Sequence, residues 1–578
     1  MNYQPPLDDI HFILHQVLQA PTQLQALPAF ADSDADLMRQ VVDEAGKFIH
    51  QEIAPLQAVG DAMGCKFEAG VVTTPPGFKQ AYQSFWQAGW PALACAPEDG
   101  GQGLPAVLEA VLYEMLSAAN HGWTMAPGLL HGAYECLKHH ASSELKARYL
   151  EKIATGEWLA TMCLTEPQAG SDLGLARTKA VPQADGTYQL SGTKIFISGG
   201  EHDLSDNIIH LVLARLPDAP PGPKGLSLFL IPKFYEDGSR SAVHCERIEE
   251  KMGLHGSATC VMRFDAASGW LIGEAGRGLN AMFVMMNAAR LHVALQGIGL
   301  LDAAWQKADA YSKERRQMRA PGRGKPAAEA DLIAEHPAMR RILDTQRAWI
   351  DAGRLLAYRT AVELDMVKHH PDTARREAAQ RWCSLVTPVL KAAFTQQAFD
   401  GGSQCLQVFG GHGYVREWGI EQHVRDARVA MIYEGTNEIQ AIDLLVRKVL
   451  PDGGKVFGAW LASLRADLDR ACPCEARVLA NLTGLETLTH QLVSAAAQDN
   501  TLAHWVADDY LRAVALVLLG WAWAQIERQT PLANPRWSVP AQALQRWVMP
   551  ELGMRLGIIE AALASLISPD PVASSTLS

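Results

Sequence analysis

The stretch MIYEGTNEIQ, Met431 to Gln440, sets two carboxylates four residues apart, Glu434 and Glu438. A carboxylate serves as a general base when a dry surrounding raises its pKa to about 6–7. Glu434 ends the apolar run VAMIY and precedes Gly435, a residue at which a chain readily turns. Thr436 can cap the helix that follows, in which Ile439, Ile442, Leu445, Val446 and Val449 share one face. Glu438 falls in that helix's first turn, where the dipole stabilises a carboxylate with or without a ligand. The local pattern offers Glu434 as a base. The solvated end of a helix is the plainer account of both residues.

Two other stretches offer a place for a ligand. CLTEPQAGSD (Cys163–Asp172) is a small-residue loop whose backbone N–H groups can approach a bound group closely. In SGTKIFISGG (Ser191–Gly200), strand alternation puts Ile195 and Ile197 on a core face. Phe196 and Ser198 are left on the other, where a ring and a hydroxyl suit a flat ligand with polar edges. Other chemistries are excluded by pattern. The chain has no G-x-S-x-G elbow and no G-x-G-x-x-G fingerprint. His139-His140, His369-His370 and HGSATC lack metal-ligand spacing.

These stretches need a large scaffold. At 578 residues the chain is long enough for three or four domains of roughly 100–200 residues each. It is 48% hydrophobic and 20% charged with a net charge of −12, which argues against nucleic acid as the main partner. An anionic ligand would need a local cation. None of the ten cysteines forms a C-x-x-C pair, so packed, reduced thiols are expected. The start, MNYQPPLDDIHFILHQ, lacks the basic and apolar regions of a secretory signal. AVALVLLGWAWA (Ala513–Ala524) is short of the roughly 20 residues that span a bilayer. A cytoplasmic protein with no transmembrane segment is expected.

Helical spacing runs from Asp32 to Leu150, with Leu37, Val41, Val42, Ala45, Phe48 and Ile49 marking the first face. From about Trp158 the texture is that of antiparallel strands, including Thr187–Gly200, Ile208–Arg215 and Gly225–Pro232, and it fades by Ile272. Helices return from Gly278 to Leu450 and again after PDGGK, Pro451 to Lys455. The expected fold is α+β in four segments. These are an N-terminal helical domain (1–157), a middle antiparallel β-domain (158–275), a C-terminal domain resembling a four-helix bundle (276–450), and an extra C-terminal helical domain (451–578).

CLTEPQAGSD, SGTKIFISGG, LQVFGGHGY and RDARVAMIYEGTNEIQ, in this order, resemble the acyl-CoA dehydrogenase family of flavoenzymes. The resemblance covers roughly Asp32 to Leu450. The opening YQPPLDDIHFIL and the long tail are similar to a bacterial subgroup with an added helical domain, acting on 3-methylthiopropanoyl-CoA or ordinary fatty acyl-CoAs. The resemblance implies FAD between the domains. Leu164, Thr165 and Ser171 fall where the family holds the flavin's pyrimidine edge and the substrate entrance. Phe196 and Ser198 fall against the isoalloxazine and near its N5. Gln407, Gly410 and Gly411 match a segment from a neighbouring subunit that supports the FAD pyrophosphate. Thr436 and Glu438 match later cofactor contacts, and Gly435 lets the backbone pass close to the thioester.

By the same resemblance Glu434 is the base in α,β-dehydrogenation of an acyl-CoA, with electrons passed to electron-transferring flavoprotein. An acyl-CoA oxidase, or a flavin- and acyl-CoA-binding protein without turnover, are the other readings. The chain departs from the family in places. Asn287-Ala-Ala-Arg290 replaces the usual Asp-x-x-Arg of the CoA-binding helix, keeping the cation and exchanging a carboxylate for an amide. In RRQMR, Arg315 and Gln317 fit the R-x-x-F flavin segment, whereas Met318 and Arg319 do not. Glu438 stands where a glutamine is frequent. The tail, with Trp505, Trp521 and Trp523, is too apolar to hang free. It is expected to dock on the N-terminal helical domain and help define a homodimer.

Overall fold

Where the sequence shows helical spacing, the computed structural model forms α1 (Ala35–Phe48). Met38, Val42, Ala45 and Ile49 form its buried edge, while Leu37, Val41 and Phe48 stay half-buried. The structure describes residues 2–322, 329–469, 473–530 and 534–567; the side chain of Asn287 lies outside the described residues. Two compact units result, one of Met1–Pro5 with Asp36–His292 and one of Pro6–Ala35 with Val293–Ser578. Residues 6–35 thus leave the N-terminal segment to which their sequence position assigned them.

In the first unit, β1 (Lys66–Glu68) and β2 (Val71–Thr73) form a hairpin inside a stretch expected to be helical. Three residues per strand are too few for alternation to register. Ala69 and Gly70, both at positive φ, make the tight turn. Then come α2 (Ala106–Thr124) and α3 (Leu130–His140), followed by β3 (Leu159–Cys163), β4 (Lys179–Pro182) and β5 (Tyr188–Ser198). The sheet is completed by β6 (Ile208–Arg215), β7 (Leu226–Pro232), β8 (Val243–Ile248) and β9 (Thr259–Ile272). The seven strands β3 to β9 pair mainly antiparallel, and β4–β5–β9–β7–β6 closes on itself where Lys179 meets Arg215. The expected antiparallel pattern has two exceptions, because both β3 and β4 run parallel to β6. β6 and β7 are central and apolar, buried on both faces except at Arg215.

The unit boundary falls within α4 (Gly278–Ser312), between His292 and Val293. This helix is long and apolar enough to cross a membrane, but its most apolar window is 81% buried, as in a core helix. The second unit continues with α5 (Pro337–His369), α6 (Thr373–Val408), α7 (Ile420–Arg428) and α8 (Asn437–Ile442). Its tail adds α9 (Lys455–Ala466), α10 (Pro473–Ala496), α11 (Leu502–Gln529) and α12 (Pro550–Ile567). Pro388 lies inside α6 and cannot donate to the Ser384 carbonyl four residues back. The Lys448 ammonium takes that carbonyl instead, at 2.7 Å.

The tail docks on the C-terminal bundle and, within the expected N-terminal segment, on its opening residues. α11 packs on α5, α6 and the segment Phe12–Val17, and Trp523 donates its indole N–H to the Ala348 carbonyl at 2.9 Å. Trp521 and Trp523 are buried, whereas Trp505 is 82% exposed and takes no part. A buried ion lattice fastens this assembly. Arg536 of the tail bonds Asp351 of α5 at 2.8 Å through both terminal nitrogens, and Asp9 of the opening segment at 3.0 Å. Asp9 also meets Arg347, and Asp302 of α4 sits 3.4 Å from Arg347 and 3.3 Å from Arg354. Asp302→Asn keeps the shape but leaves two buried guanidinium groups short of one negative charge. It should cost about 3 kcal/mol, read as a fall of several degrees in the thermal midpoint with an unchanged far-UV spectrum.

Candidate active site

In the first unit, the loop after β3 and the end of β5 are built as one piece. Between Lys194 and Ile197 strand β5 carries one residue more than β9, a β-bulge. Alternation is therefore broken. Lys194 and Ile197 are both buried, and Ile195 is half-buried rather than a core residue, which corrects the simple two-face expectation. Ile195 turns its N–H to the Thr165 carbonyl at 2.9 Å. Phe196 takes φ 60° and stands 60% exposed, with Ser198 half-buried beside it. Leu164 and Thr165 are half-buried on the loop, and Ser171 is exposed near its end.

A buried ion pair joins these pieces. The Lys194 ammonium donates to Glu166 Oε1 at 2.8 Å and to the Leu164 carbonyl at 2.9 Å. Glu166 also accepts from the Arg177 and Thr178 amides and the Thr178 hydroxyl, at 2.7, 3.0 and 2.7 Å. Burial alone would raise the Glu166 carboxyl, but Lys194 and these hydrogen bonds outweigh it and bring it down to about 2.

In the second unit, Glu434 lies in the turn between the one-turn helix Val429–Met431 and α8. It is half-buried and held at φ 55°, a conformation that side chains other than glycine rarely adopt. Gly435 follows at φ 85°; a Cβ there would come within 2.8 Å of Gln440 Nε2. Gln440 donates to the Glu434 carbonyl at 3.1 Å, and the buried Lys391 of α6 donates to the Gly435 carbonyl at 2.7 Å. Lys391 also reaches Asn437 Oδ1 at 3.0 Å, and Asn437 returns a bond to the Ala392 carbonyl. Thr436 caps α8, accepting from the Ile439 amide at 3.3 Å. Tyr433 donates to Gln296 Oε1 at 2.5 Å; burial first, then the Glu434 and Asp426 carboxylates, push its phenol up.

Glu438 differs from Glu434 in surroundings. It is exposed, and the Thr436 hydroxyl, with more distant help from Lys391 and Arg428, holds its carboxyl below the usual value. Such a group stays ionised and is a weak base.

Gln407, Gly410 and Gly411 are exposed where α6 ends, with open space where Gly410 or Gly411 would carry a side chain. Arg315 and Gln317 are exposed just past α4. An aromatic cluster ties these two segments together. Tyr311 stacks on Phe409 at 4.2 Å and bonds His412 Nδ1 at 2.9 Å, and His412 stacks on Trp418. Arg290, on the first half of α4, is only 8% exposed.

The family models for the acyl-CoA dehydrogenase N-terminal, middle and C-terminal domains match residues 36–157, 161–267 and 276–449. The chain belongs to the acyl-CoA dehydrogenase family. It is 42% identical over 534 residues to 3-methylmercaptopropionyl-CoA dehydrogenase of Ruegeria pomeroyi, covering 90% of each chain. It is 32% identical to a broad-specificity linear acyl-CoA dehydrogenase of Mycobacterium tuberculosis, over 92% of this chain and 90% of the relative. Its fold is similar to that of Caenorhabditis elegans ACDH-11 solved with C11-CoA, with a TM-score of 0.76, 20% identity, and coverage of 92% and 91%.

Acyl-CoA dehydrogenases are FAD-dependent oxidoreductases, and the residues of this chain fit that cofactor. The hydroxyls of Thr165, Ser171 and Ser198 bond to no other described residue, and Phe196 presents a ring to open space. This is the mixture of flat apolar surface and free polar edges that an isoalloxazine needs.

The acyl-CoA dehydrogenase motifs conceal positioning residues that sequence reasoning did not single out. Glu166 and Lys194 each sit inside a motif, and opposite charges among apolar neighbours were the available signal. Lys391, alone in the run PVLKAAF, gave the same kind of signal. Glu166 yields a pH test. Its folded-state carboxyl titrates below the unfolded value of about 4.3, so its stabilisation is complete above that pH and is lost as pH falls toward 2. Glu166→Gln leaves Lys194 buried and unpaired and should cost about 3 kcal/mol at pH 7. The difference in thermal midpoint from the unmodified protein should shrink steadily on acidification from about pH 4.3.

Proposed function

We propose that the chain removes the α-proton and β-hydride of an acyl-CoA thioester, giving the trans-2-enoyl-CoA, with Glu434 as the base. The observation that carries this reading is the half-buried Glu434 at φ 55°, on a turn whose backbone Lys391 and Gln440 brace. A carboxylate carried on a braced backbone needs less reorganisation to meet a Cα–H, which is where general-base catalysis gains its efficiency. Gly435 leaves room for the thioester to come close, and backbone N–H groups of the turn can steady the charge that develops on its carbonyl oxygen. FAD, when bound, supplies the acceptor for the Cβ hydride.

Leu164, Thr165, Ser171, Phe196 and Ser198 hold the flavin ring in this reading. Arg315, Gln317, Gln407, Gly410, Gly411, Thr436 and Glu438 contact other parts of the cofactor. Asn287 and Arg290 take the CoA portion, with Ser171 and Gly435 beside the acyl end. Electrons pass to electron-transferring flavoprotein, the protein is a cytoplasmic homodimer, and the names of its relatives favour a dehydrogenase over an oxidase. Those relatives are named for different acyl groups, so an anaerobic bleaching screen that includes 3-methylmercaptopropionyl-CoA selects the substrate.

Single-turnover flavin reduction with that substrate tests the base. Glu434→Gln should retain fold, FAD and acyl-CoA binding and lose at least about 10²–10⁴-fold in rate. Glu438→Gln should stay within about tenfold, since a first-turn carboxylate contributes only about 0.3–1 kcal/mol. Bleaching of Glu434→Gln at the unmodified rate, with Glu438→Gln slow, would mean that the other carboxylate is the base.

Arg290 is tested separately. An acidic protein needs a local cation for a phosphorylated ligand, so Arg290→Ala should raise KM for acyl-CoA far more than it lowers kcat. An unchanged KM with a lower thermal midpoint would make Arg290 an internal structural cation.

A further inference from the structure

The loop that carries Thr165 and Ser171 runs from the end of β3 at Cys163 to the start of β4 at Lys179. Most of its backbone lies outside helix and sheet. Peptide groups in such a stretch have no ladder to pair in, so each needs another partner or water. Glu166 and Ala169 exchange both backbone bonds at 2.9 Å, and Asp172 accepts from the Gly174 amide at 2.9 Å. The Arg177 and Thr178 amides go to the Glu166 carboxylate. Glu166 thus gathers N–H groups. The carbonyls of the same stretch need a donor.

Arg215 supplies it. This last residue of β6 is the one position in β6 and β7 that is not buried. Its Nε donates to the Ala176 carbonyl at 2.8 Å, and one terminal nitrogen donates to the Gly174 carbonyl. That nitrogen also reaches the Gly222 carbonyl at 2.9 Å, and the other reaches the Pro220 carbonyl at 3.0 Å. The Arg215 backbone N–H adds a bond to the Thr178 carbonyl at 2.8 Å. Among the described residues the guanidinium pairs with no carboxylate. Its donors are committed to backbone.

The second pair of acceptors lies on LPDAPPGPKG, Leu216–Gly225, in which Pro217, Pro220, Pro221 and Pro223 have no N–H to give. That stretch holds more acceptors than donors, and a guanidinium with five donors in a fixed fork corrects the imbalance. The two loops meet through the one-turn helices Leu173–Leu175 and Pro223–Gly225. A Cβ on Gly174 would come within 3.0 Å of Pro223, and one on Gly225 within 2.5 Å of the guanidinium itself. Both loops are shaped around this side chain.

We propose that Arg215 is a positioning residue for the flavin. Glu166 closes the base of the loop, and Arg215 pins its returning limb just beyond Ser171, so that Ser171 meets the cofactor from backbone held on both sides. This rests on the reading in which Thr165 and Ser171 hold the flavin ring. Arg215 acts through the loop backbone, and its fork, more than its charge, is what the loop requires.

FAD titration of the full-length apoprotein, followed by flavin fluorescence, tests this, with the apoprotein's thermal midpoint as the control for folding. Arg215→Ala should raise the FAD dissociation constant about tenfold or more. The apoprotein midpoint should fall only slightly, and the visible bands of the bound flavin should shift toward those of free FAD. Arg215→Lys keeps the charge without the fork, so it should also bind FAD several-fold more weakly. It carries the test alone if the alanine variant does not fold. Full FAD affinity in Arg215→Lys would show that charge suffices and overturn the proposal. Weaker FAD binding matched by an equal loss of apoprotein stability would make Arg215 a residue of the fold only. Thr165→Ala and Ser171→Ala, titrated alongside, report on the loop itself. If either weakens FAD while the Arg215 variants do not, the loop meets the flavin and only the role of Arg215 fails. If neither does, the flavin lies elsewhere, and the underlying reading of the loop fails with it.

Discussion

A fully buried ammonium, that of Lys391, is the constraint around which the Glu434 turn is arranged. Taking such a charge out of water costs several kcal/mol unless acceptors surround it. The acceptors here are the Gly435 carbonyl and the Asn437 side chain, which flank Thr436 on the far side of Glu434. The lysine therefore fixes the turn that carries Glu434. Gln440 and the Thr436 cap then close the remaining freedom from within α8 itself. Because α6 is a long, packed helix, the turn inherits its rigidity from the bundle and not from its own short loop.

The same device holds together segments distant in sequence. Asp9, Asp302, Arg347, Asp351, Arg354 and Arg536 come from the opening segment, two bundle helices and the tail, and meet as one lattice, buried at its centre and half-buried at Asp9 and Arg536. Apolar packing alone would bring these elements together, and the indoles of Trp521 and Trp523 are buried in it. The charges add selectivity of arrangement, since any register that separates one carboxylate from its arginines strands a charge in a dry interior. This accounts for residues 6–35 folding with the second unit, although the chain reaches them first.

Much of this was legible in the sequence. Helical and strand periods located the helical and sheet regions, and Glu434, Phe196 and Thr436 stood out on pattern. What was hidden depended on partners far along the chain. The bulge in β5 cannot be read from SGTKIFIS, because it exists only as a mismatch with the count of residues in β9. Lys194 and Glu166 are 28 residues apart, and Lys391 and Gly435 are 44 apart. Periodicity is silent at such separations. The parallel pairing of β3 with β6 was missed for a similar reason: apolar strands advertise burial, not direction. The hairpin of β1 and β2 was too short to interrupt the helical texture around it.

Seven described residues other than glycine adopt positive φ, and Phe196 and Glu434 are two of them. Each such conformation costs on the order of 1–3 kcal/mol and persists only where its surroundings over-determine it. In both places the surroundings include a buried lysine bonded to a backbone carbonyl that lies outside regular secondary structure, Leu164 for Lys194 and Gly435 for Lys391. An ammonium suits this work because its three donors rotate to whatever acceptors irregular backbone presents, whereas helix and sheet amides are already committed. The strained backbone at Phe196 and at Glu434 is thus braced by the same physical device, used once in each unit. In each unit a buried lysine near the strained residue bonds a carbonyl that regular secondary structure leaves unpaired.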